Sequence, residues 1–333
     1  MTPTTADRFC RDLQDAVGDA YAIERELGIG RVRHPGELRW ARVFVAREIA
    51  TSRRVVLKVL PDELAERIDA DRFRREIGLA AALRHPQIIA MLGAAVSGRF
   101  LYYTMPFLEA ESLRDWLNAS GGKLPIREAL RIGADVARAL QAAHEQGIVH
   151  RDVRPGNILL GAGRAFLTST GAARAVYRSL TPRVVERNAS DEERAIDGLA
   201  HGRWLIGTAA YLSPEQATGV PNIDGRSDVY ALGCLLYEML TGARPFSGTQ
   251  DELLRARCVA LPEAPRRRRK DLPLELDRIV MKALATKAES RYPTAGELER
   301  ALLAVPARRA SSSMADRTRA VLQSATLGMC HRR

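Results

Sequence analysis

Short runs of apolar residues in the first third of the chain predict β-strands. Three of these runs lie within residues 21–60, namely YAIERELGIG, WARVFVAREIA and RRVVLKVL. The last is rich in β-branched residues and ends beyond Lys58, as is typical of a strand. Two more runs, QIIAMLGAAV and RFLYYTMPFL, follow further along the chain. The amino-terminal part is therefore expected to be rich in strands.

A helical pattern interrupts these strands and dominates after Glu111. Apolar residues at mixed three- and four-residue steps predict a helix over residues 62–84. Pro125 can begin a long helix that Gly147 ends, and Gly242 can end a second one that contains SDVYALGCLLYEML. Two further helices are expected at residues 273–286 and 294–304.

This switch in pattern divides the chain into four parts. Residues 1–20 form an amino-terminal extension, residues 21–105 a small lobe and residues 106–304 a larger helical lobe. Residues 305–333 form a polar tail, which is expected to be loose, with one short amphipathic helix at most.

Composition excludes several classes of protein. Hydrophobic residues make up 46% and charged residues 27% of the 333 residues, which is ordinary for a packed chain. No apolar stretch reaches the roughly 18 residues of a membrane helix, and the first residues lack the apolar core of a secretory signal. Four scattered cysteines without a CxxC pair argue against a zinc site or a disulfide scaffold. A cytoplasmic location is expected, because these thiols fit a reducing compartment.

The net charge of +11 raises the question of an anionic partner. The basic excess is spread along the chain, with one dense run over residues 266–270. A solvated loop is the favoured interpretation of this run, and a binding patch is the alternative. No aromatic residues are interleaved with it, and aromatics are only 5% of the chain, so no nucleic-acid partner is expected.

The chemistry-bearing motifs come in a particular order. HRDVRPGNILL begins at His150 and contains Asp152 and Asn157. The other motif residues, in chain order, are Gly28, Gly30, Lys58 at the end of VVLK, Glu76, Ser213-Pro214-Glu215, Asp228 and Arg291. Together these motifs resemble the bacterial Hanks-type serine/threonine protein kinases over about residues 21–304. The resemblance implies an α+β, bilobal, protein-kinase-like fold. It would have a small lobe with an antiparallel sheet and one main helix, and a larger helical lobe.

The resemblance also implies a role for each polar motif residue. Phosphoryl transfer requires positioning and neutralisation of charge rather than covalent chemistry by the protein. Lys58 would hold the α- and β-phosphates of ATP, and Glu76 would hold Lys58. Asp152 would accept or orient the proton of the substrate hydroxyl, and Asn157 would be a metal ligand. Arg154 takes the place of the lysine that follows the catalytic aspartate in the family.

Three motif residues of the larger lobe have structural roles by the same resemblance. Asp228 would brace the backbone of the catalytic loop from below. Glu215 and Arg291 would form a buried or half-buried ion pair.

The resemblance implies ATP, or another adenine nucleotide, as the cofactor. Gly28 and Gly30 would begin the turn over the phosphates. Met105 occupies the gatekeeper position, the carbonyl of Pro106 would accept from the adenine amine, and Leu108 would supply a backbone N–H. The side chains that would enclose the base, for which plain core packing is the alternative role, are Val43, Val56 and Leu159.

One departure from the family pattern concerns the metal site. In FLTSTGAARA, Ser169 replaces the aspartate of the family's DFG motif and Thr170 replaces its phenylalanine. Magnesium sites rely on one or two carboxylates together with phosphate, and a serine hydroxyl is a poor replacement. Magnesium as a cofactor is therefore doubtful.

Two insertions also depart from the pattern. Ten residues, RVRHPGELRW, separate Gly30 from Ala41, where the family has two. The activation segment, Ser169–Glu215, is long and contains Ser179, Thr181 and Ser190. Arg151 is the kind of residue that captures a phosphate on such a segment. A disordered insertion is nevertheless the favoured interpretation of residues 178–200.

Three functions remain open from the sequence. The first is a pseudokinase that binds nucleotide, transfers phosphate poorly and acts through protein partners. The second is an active ATP-dependent serine/threonine kinase, which holds its metal through Asn157, phosphates and water. The third is a scaffold that binds no nucleotide, which the joint presence of Lys58, Glu76, Asp152 and Asn157 disfavours. A protein partner or a protein substrate is expected in the first two cases.

Overall fold

The chain folds into the two lobes that its apolar pattern predicts. The computed structural model describes residues 5–27, 41–180, 209–220 and 223–306. Gly28, Gly30, the insertion at residues 31–40, Thr181, Ser190 and most of the polar tail lie outside the described residues. Within the described ranges, no helix is both long enough and apolar enough to cross a bilayer.

An antiparallel five-stranded sheet forms the small lobe. Its strands are β1 (Tyr21–Glu26), β2 (Arg42–Glu48), β3 (Arg54–Val59), β4 (Gly93–Ser97) and β5 (Phe100–Pro106), in the order β1-β2-β3-β5-β4. In this sheet Lys58 lies directly opposite Val43 on one side and Tyr103 on the other. Because residues directly opposite each other point to the same face, these three side chains share the face that covers the cleft.

The opposite face of the sheet is covered by the amino-terminal extension. Residues Thr5–Val17 form helix α1, for which the sequence analysis predicted no element. Leu13 and Val17 of α1 are buried against the core side chains Phe44 and Leu57. The Gln14 side chain is hydrogen-bonded to the backbone of β1, to the carbonyl of Tyr21 and the N–H of Ile23. The extension is therefore part of the small lobe.

The helix predicted over residues 62–84 is two helices in the structure. Helix α2 is Asp62–Ala65 and helix α3 is Ala70–Ala81. Between them, Asp69 caps α3 by accepting a hydrogen bond from the Arg72 N–H, so a new helix starts there. The Asp69 N–H donates to the carbonyl of Ser179, and Ile68 forms a β-bridge with Leu180. The prediction of one helix was wrong because apolar periodicity continues through this break.

The larger lobe is helical, with a small sheet at the cleft. Strands β6 (Glu111–Ser112), β7 (Ile158–Gly161) and β8 (Arg164–Leu167) form that sheet in this order. The helices are α4 (Leu113–Ala119), α5 (Ile126–Glu145), α6 (Ala172–Ser179), α7 (Pro214–Ala217), α8 (Arg226–Thr241), α9 (Gln250–Val259), α10 (Pro265–Arg268), α11 (Leu274–Ala283) and α12 (Ala295–Leu303). Pro125 precedes α5, and Gly242 ends α8 with a φ of 80°, as the sequence predicts.

The basic run at residues 266–270 is not simply a solvated loop. Pro265–Arg268 is one helical turn, and Arg269 is a half-buried anchor that donates to the carbonyls of Leu124 and Leu240. The arginine side chains before Arg269 are exposed. Proline at the first helical position explains the turn, because its φ is already fixed in the helical range.

The predicted pair of Glu215 and Arg291 is confirmed. The Arg291 guanidinium donates two hydrogen bonds to the Glu215 carboxylate, at 2.6 and 2.8 Å, and the Arg291 side chain is fully buried. The same guanidinium also donates to three backbone carbonyls, those of Ala285, Thr286 and Arg226. Burial raises the pKa of Glu215, but the hydrogen bonds and charge of Arg291 outweigh it, so the pKa is lowered.

Replacing Glu215 should destabilise the larger lobe sharply. We expect Glu215→Ala to lower the free energy of unfolding by about 3–5 kcal/mol, because Arg291 would keep its charge in a buried site. Denaturant titration measures this. The exposed pair of Asp71 and Arg74 supplies the control, since Asp71→Ala should cost less than about 1 kcal/mol. Equal losses in the two variants would contradict the structural role.

Candidate active site

The catalytic loop is fixed from below by Asp228 at the start of α8. One carboxylate oxygen accepts from the N–H of His150 and the other from the N–H of Arg151, each at 2.8 Å. His144 of α5 binds the same carboxylate at 2.7 Å. Burial raises the pKa of Asp228, but the hydrogen bond and charge of His144 help to lower it overall. The bracing role expected of Asp228 is confirmed.

His150 connects this loop to the end of β8. Its Nε2 lies 2.9 Å from the carbonyl oxygen of Thr168, and its Nδ1 lies 3.2 Å from the backbone nitrogen of Asp152. The Thr168 N–H in turn donates to the carbonyl of Asn157 at 2.9 Å. These contacts place Ser169, the next residue, beside the catalytic loop.

Asp152, Arg154 and Asn157 form one cluster, as the sequence predicts. The Asn157 amide donates to an Asp152 carboxylate oxygen at 2.6 Å and to the Asp152 carbonyl at 2.8 Å. The Arg154 Nε lies 3.2 and 3.3 Å from the two carboxylate oxygens. Asp152 is therefore held in one orientation by an amide and a cation.

Lys58 reaches Ser169 across the cleft between the lobes. Its Nζ donates to the Ser169 Oγ at 2.7 Å, and the Tyr103 hydroxyl donates to the same oxygen at 3.3 Å. Burial, followed by the charge of Arg154, lowers the pKa of Lys58, and the charge of Asp152 opposes this shift. The pKa that results is about 8. Lys58 thus meets a neutral hydroxyl at the position where the resemblance noted from the sequence implies a carboxylate. Tyr103 was not predicted from the sequence, and only its place opposite Lys58 in the sheet register could have indicated it.

Glu76 does not hold Lys58 in this structure. Its carboxylate lies 3.5 Å from Arg174 Nε and 3.3 Å from Arg178 Nη1, both on helix α6. The expected pair of Lys58 and Glu76 is therefore wrong for this conformation. The two arginines are four residues apart in GAARAVYRS and so lie on one helical face, a spacing from which a partner for Glu76 could have been predicted.

Helix α6 is close to α3 because of Gly171. This residue has a φ of 86°, and a Cβ built on it would lie 2.6 Å from the Cβ of Ala80 in α3. Only glycine fits this approach without a shift in one of the helices. Beside it Thr170 is buried, and its hydroxyl has no hydrogen-bond partner among the residues that the structure describes. The backbone of Ser169 is also left-handed, with a φ of 62°.

The apolar residues expected around an adenine base belong to one core cluster. Val56 is buried in it, and Val43 and Leu159 pack against it while remaining partly exposed toward the cleft. At the hinge, Pro106 ends β5, and the Phe107 N–H donates to the carbonyl of Arg54. Within the described residues the Leu108 N–H has no hydrogen-bond partner, which leaves a donor available at the hinge.

The oxygen donors at the cleft do not fit a magnesium site of the usual kind. Asp152 is the one carboxylate of the cluster, and it already contacts Arg154 and Asn157. No group of three or more His, Cys, Asp or Glu side chains in the described ranges could hold a metal ion. Magnesium prefers several hard oxygen ligands, including one or two carboxylates. Asn157 and Ser169, the other side chains at the expected metal position, offer only neutral oxygens.

The fold and the site together define the class of protein. A small sheet lobe and a helical lobe enclose a lysine, and the loop with Asp152 and Asn157 faces that lysine. The Mycobacterium tuberculosis PknI kinase domain has the same fold, with a TM-score of 0.63 and 25% identity over 85% of this chain and 94% of that chain. The kinase-like fold is therefore confirmed.

Sequence comparison identifies the family. Residues 21–301 match the protein kinase domain, and the chain belongs to the protein kinase family. It is 38% identical over 298 residues to the serine/threonine-protein kinase PknB of Mycobacterium leprae, covering 87% of this chain and 43% of that protein. It is 35% identical over 293 residues to a probable serine/threonine-protein kinase of Corynebacterium efficiens, covering 85% of this chain and 40% of that protein. The chain spans less than half the length of these curated relatives.

Restoring a carboxylate at residue 169 should change the charge state of Lys58. We expect Ser169→Asp to raise the Lys58 pKa from about 8 to the range of an ordinary lysine or above, because the new carboxylate would contact Nζ. The pH dependence of Lys58 acylation, followed by mass spectrometry, reports this pKa. Ser169→Ala is the matched control and should leave the midpoint at or below that of the parent. A midpoint of Lys58 acylation at about pH 10.4 in the parent chain would contradict the lowered pKa of this lysine.

Proposed function

We propose that this chain is a nucleotide-binding, protein-kinase-like domain with impaired phosphoryl transfer that acts through protein partners. The observation that supports this most strongly is the contact between Lys58 and Ser169. Ser169 occupies the position at which a metal-binding carboxylate would be needed. The partners and any substrates are proposed from membership of the family alone. The activity of the whole relatives does not carry over directly, because the match covers only 43% of the PknB protein.

Nucleotide binding is supported by the groups that remain at the cleft. Lys58 and Arg154 are the cations at the cleft that the phosphates would meet. Arg154 is paired with Asp152, whereas Lys58 forms no ion pair with a carboxylate among the described residues. Val43, Val56 and Leu159 would enclose adenine, while the Pro106 carbonyl and the Leu108 N–H would bind its edge. Gly28 and Gly30 would approach the phosphates from above. ATP, or another adenine nucleotide, is the proposed ligand.

Impaired transfer is supported by two features of the site. A neutral serine cannot offset the charge of a divalent cation or fix its position. In addition, Glu76 is held by Arg174 and Arg178, so it does not orient Lys58. When bound, a magnesium ion would supply neutralisation of phosphate charge, with Asn157 and Ser169 as its weak protein ligands. Magnesium is therefore proposed to contribute little.

An active serine/threonine kinase is the second candidate. The assembled cluster of Asp152, Arg154 and Asn157 favours it, because this is the arrangement that would receive a substrate hydroxyl. Activity as a kinase would require Glu76 to leave the α6 arginines. It would also require the metal to be held by Asn157, phosphates and water. Arg151 stacks 5.0 Å from the centre of the Tyr177 ring, near the start of the activation segment, where it could receive a phosphate on that segment.

Binding of ATP should be coupled to uptake of a proton by Lys58. The phosphates favour the charged amine, so binding at pH 8 should take up about half a proton, and affinity should fall as the pH rises above 8. Calorimetry in two buffers of different ionisation enthalpy measures this uptake. Lys58→Met should abolish the uptake and weaken binding by about tenfold or more. If millimolar ATP neither binds nor raises the melting temperature, with or without metal, nucleotide binding is rejected.

Phosphoryl transfer should be slow in the parent and improve on repair of the motif. We expect a rate at least about a hundredfold below the roughly 1–100 per second of ordinary kinases. Ser169→Asp should raise the rate, and the double change with Thr170→Phe should raise it further by filling the slot beside the motif. Transfer of labelled phosphate to a generic protein substrate is the measurement, and Asp152→Asn in each background is the control. A parent rate in the ordinary range would establish the second candidate instead.

A further inference from the structure

Helix α1 packs on the face of the small-lobe sheet that points away from the cleft. Phe9, Leu13 and Val17 follow one another at four-residue steps, so they lie on one side of the helix. The Phe9 ring stacks on that of Phe44, with the two ring centres 6.1 Å apart, and makes an edge-to-face contact with Phe100 at 5.2 Å. These contacts place Phe9 over strands β2 and β5.

Arg42, the first residue of β2, links this helix to two strands. Its guanidinium carbon lies 3.8 Å from the centre of the Phe9 ring, and its Nη2 donates to the Cys10 sulfur at 3.8 Å. The same guanidinium donates two hydrogen bonds to the carboxylate of Glu26 at the end of β1, at 2.9 and 2.5 Å. Arg42 therefore joins α1, β1 and β2 at one point, and we call Phe9, Arg42 and Glu26 the α1 clamp.

The α1 clamp is largely shielded from water, which strengthens its contacts. The Glu26 side chain is 7% exposed and the Arg42 side chain 29%. A cation on an aromatic ring is held more strongly when the pair is desolvated, and a charge pair is stronger at a lower local dielectric. By contrast Arg47, further along β2, pairs with Glu24 and is 52% exposed. Arg47 therefore supplies a matched control on the same strand.

The residue after Arg42 points into the cleft. Successive side chains of a strand alternate between the two faces of a sheet, so Val43 lies on the face opposite to α1. Val43 is directly opposite Lys58 in the register, and its carbonyl accepts from the Leu27 N–H at 2.7 Å. The backbone that the α1 clamp holds is therefore the backbone that carries Val43 beside Lys58.

We propose that Phe9 and Arg42 are positioning residues for the nucleotide, because the α1 clamp fixes the start of β2 and thereby sets the position of Val43 at the cleft. Val43 is one of the residues that would enclose adenine, so a loosened clamp weakens contacts to the base. This inference rests on the proposed binding of an adenine nucleotide. The hold of α1 on the strands is measurable without any ligand.

Hydrogen exchange resolved to single residues tests the clamp in the free protein. Exchange of the Leu27 N–H reports local opening between β1 and β2. We expect Arg42→Met, and separately Phe9→Leu, to speed this exchange by about threefold or more, because each removes the contact between cation and ring. Arg47→Met should change it by less than about twofold. Phe9→Tyr keeps an aromatic face for the guanidinium and should behave as the parent chain does.

Binding of adenosine tests whether the clamp acts through Val43. Adenosine carries the base without phosphates, and calorimetry measures its dissociation constant. Arg42→Met and Phe9→Leu should each weaken its binding by about threefold or more, and Arg47→Met by less than about twofold. In a Val43→Ala background the clamp substitutions should have less effect, because the side chain that they displace has been removed.

Folding of the variants is checked by their melting temperatures. Arg42→Lys keeps the charge but not the two-pronged geometry, and it replaces Arg42→Met if that variant does not fold. Its effects on exchange and on adenosine binding should have the same direction as those expected for Arg42→Met.

Two outcomes would overturn the proposal. The first is Leu27 exchange that is as slow in the clamp variants as in Arg47→Met, which would show that α1 does not hold the strands. The second is faster exchange with unchanged adenosine affinity, or with equal losses of affinity in the two backgrounds, which would make the clamp purely structural. If exchange is faster but the parent chain binds neither ATP nor adenosine, nucleotide binding is rejected, while the hold of α1 on the strands is supported.

Discussion

The charge of Lys58 is the constraint on which the account of this site depends. A lysine whose pKa falls from 10.5 to about 8 on folding destabilises the folded state below pH 8 by about 3 kcal/mol. Ser169 and Tyr103 supply neutral oxygens and do not offset that cost with an opposite charge. Phosphate groups at the cleft would do so. Binding of an anion at the cleft would therefore recover the free energy that burial of the charged Lys58 costs.

The rest of the structure keeps this cation opposite the catalytic loop. Asp228 accepts from the backbone of His150 and Arg151, which fixes the loop that carries Asp152. On the other side of the cleft, Gly171 allows α6 to approach α3, where its two arginines hold Glu76. The described residues thus keep the two-lobed scaffold of a kinase, while Glu76 is engaged by α6 and a neutral serine stands at residue 169 beside Lys58.

The sequence predicted what depends on local pattern and motif order. The strands of the small lobe, the helices ended by Gly147 and Gly242, and the pair of Glu215 and Arg291 all followed from it, because each is fixed by nearby residues or by the shared fold. The break at Asp69 and the partners of Glu76 did not follow. They depend on α6 packing against α3, a contact between segments about a hundred residues apart whose geometry no periodicity encodes. Helix α1 was not predicted because its apolar face can be recognised as a packing face only when the sheet that it covers is known.

The affinity for ATP, measured in parallel with a chelator and with excess Mg²⁺, tests most directly whether the cations of the chain take the place of the metal. If Lys58 and Arg154 neutralise the phosphates, the two dissociation constants should agree within about threefold, a difference of less than 1 kcal/mol. A dissociation constant about tenfold or more lower with Mg²⁺ would contradict the account, because the protein would then be supplying effective ligands to the metal.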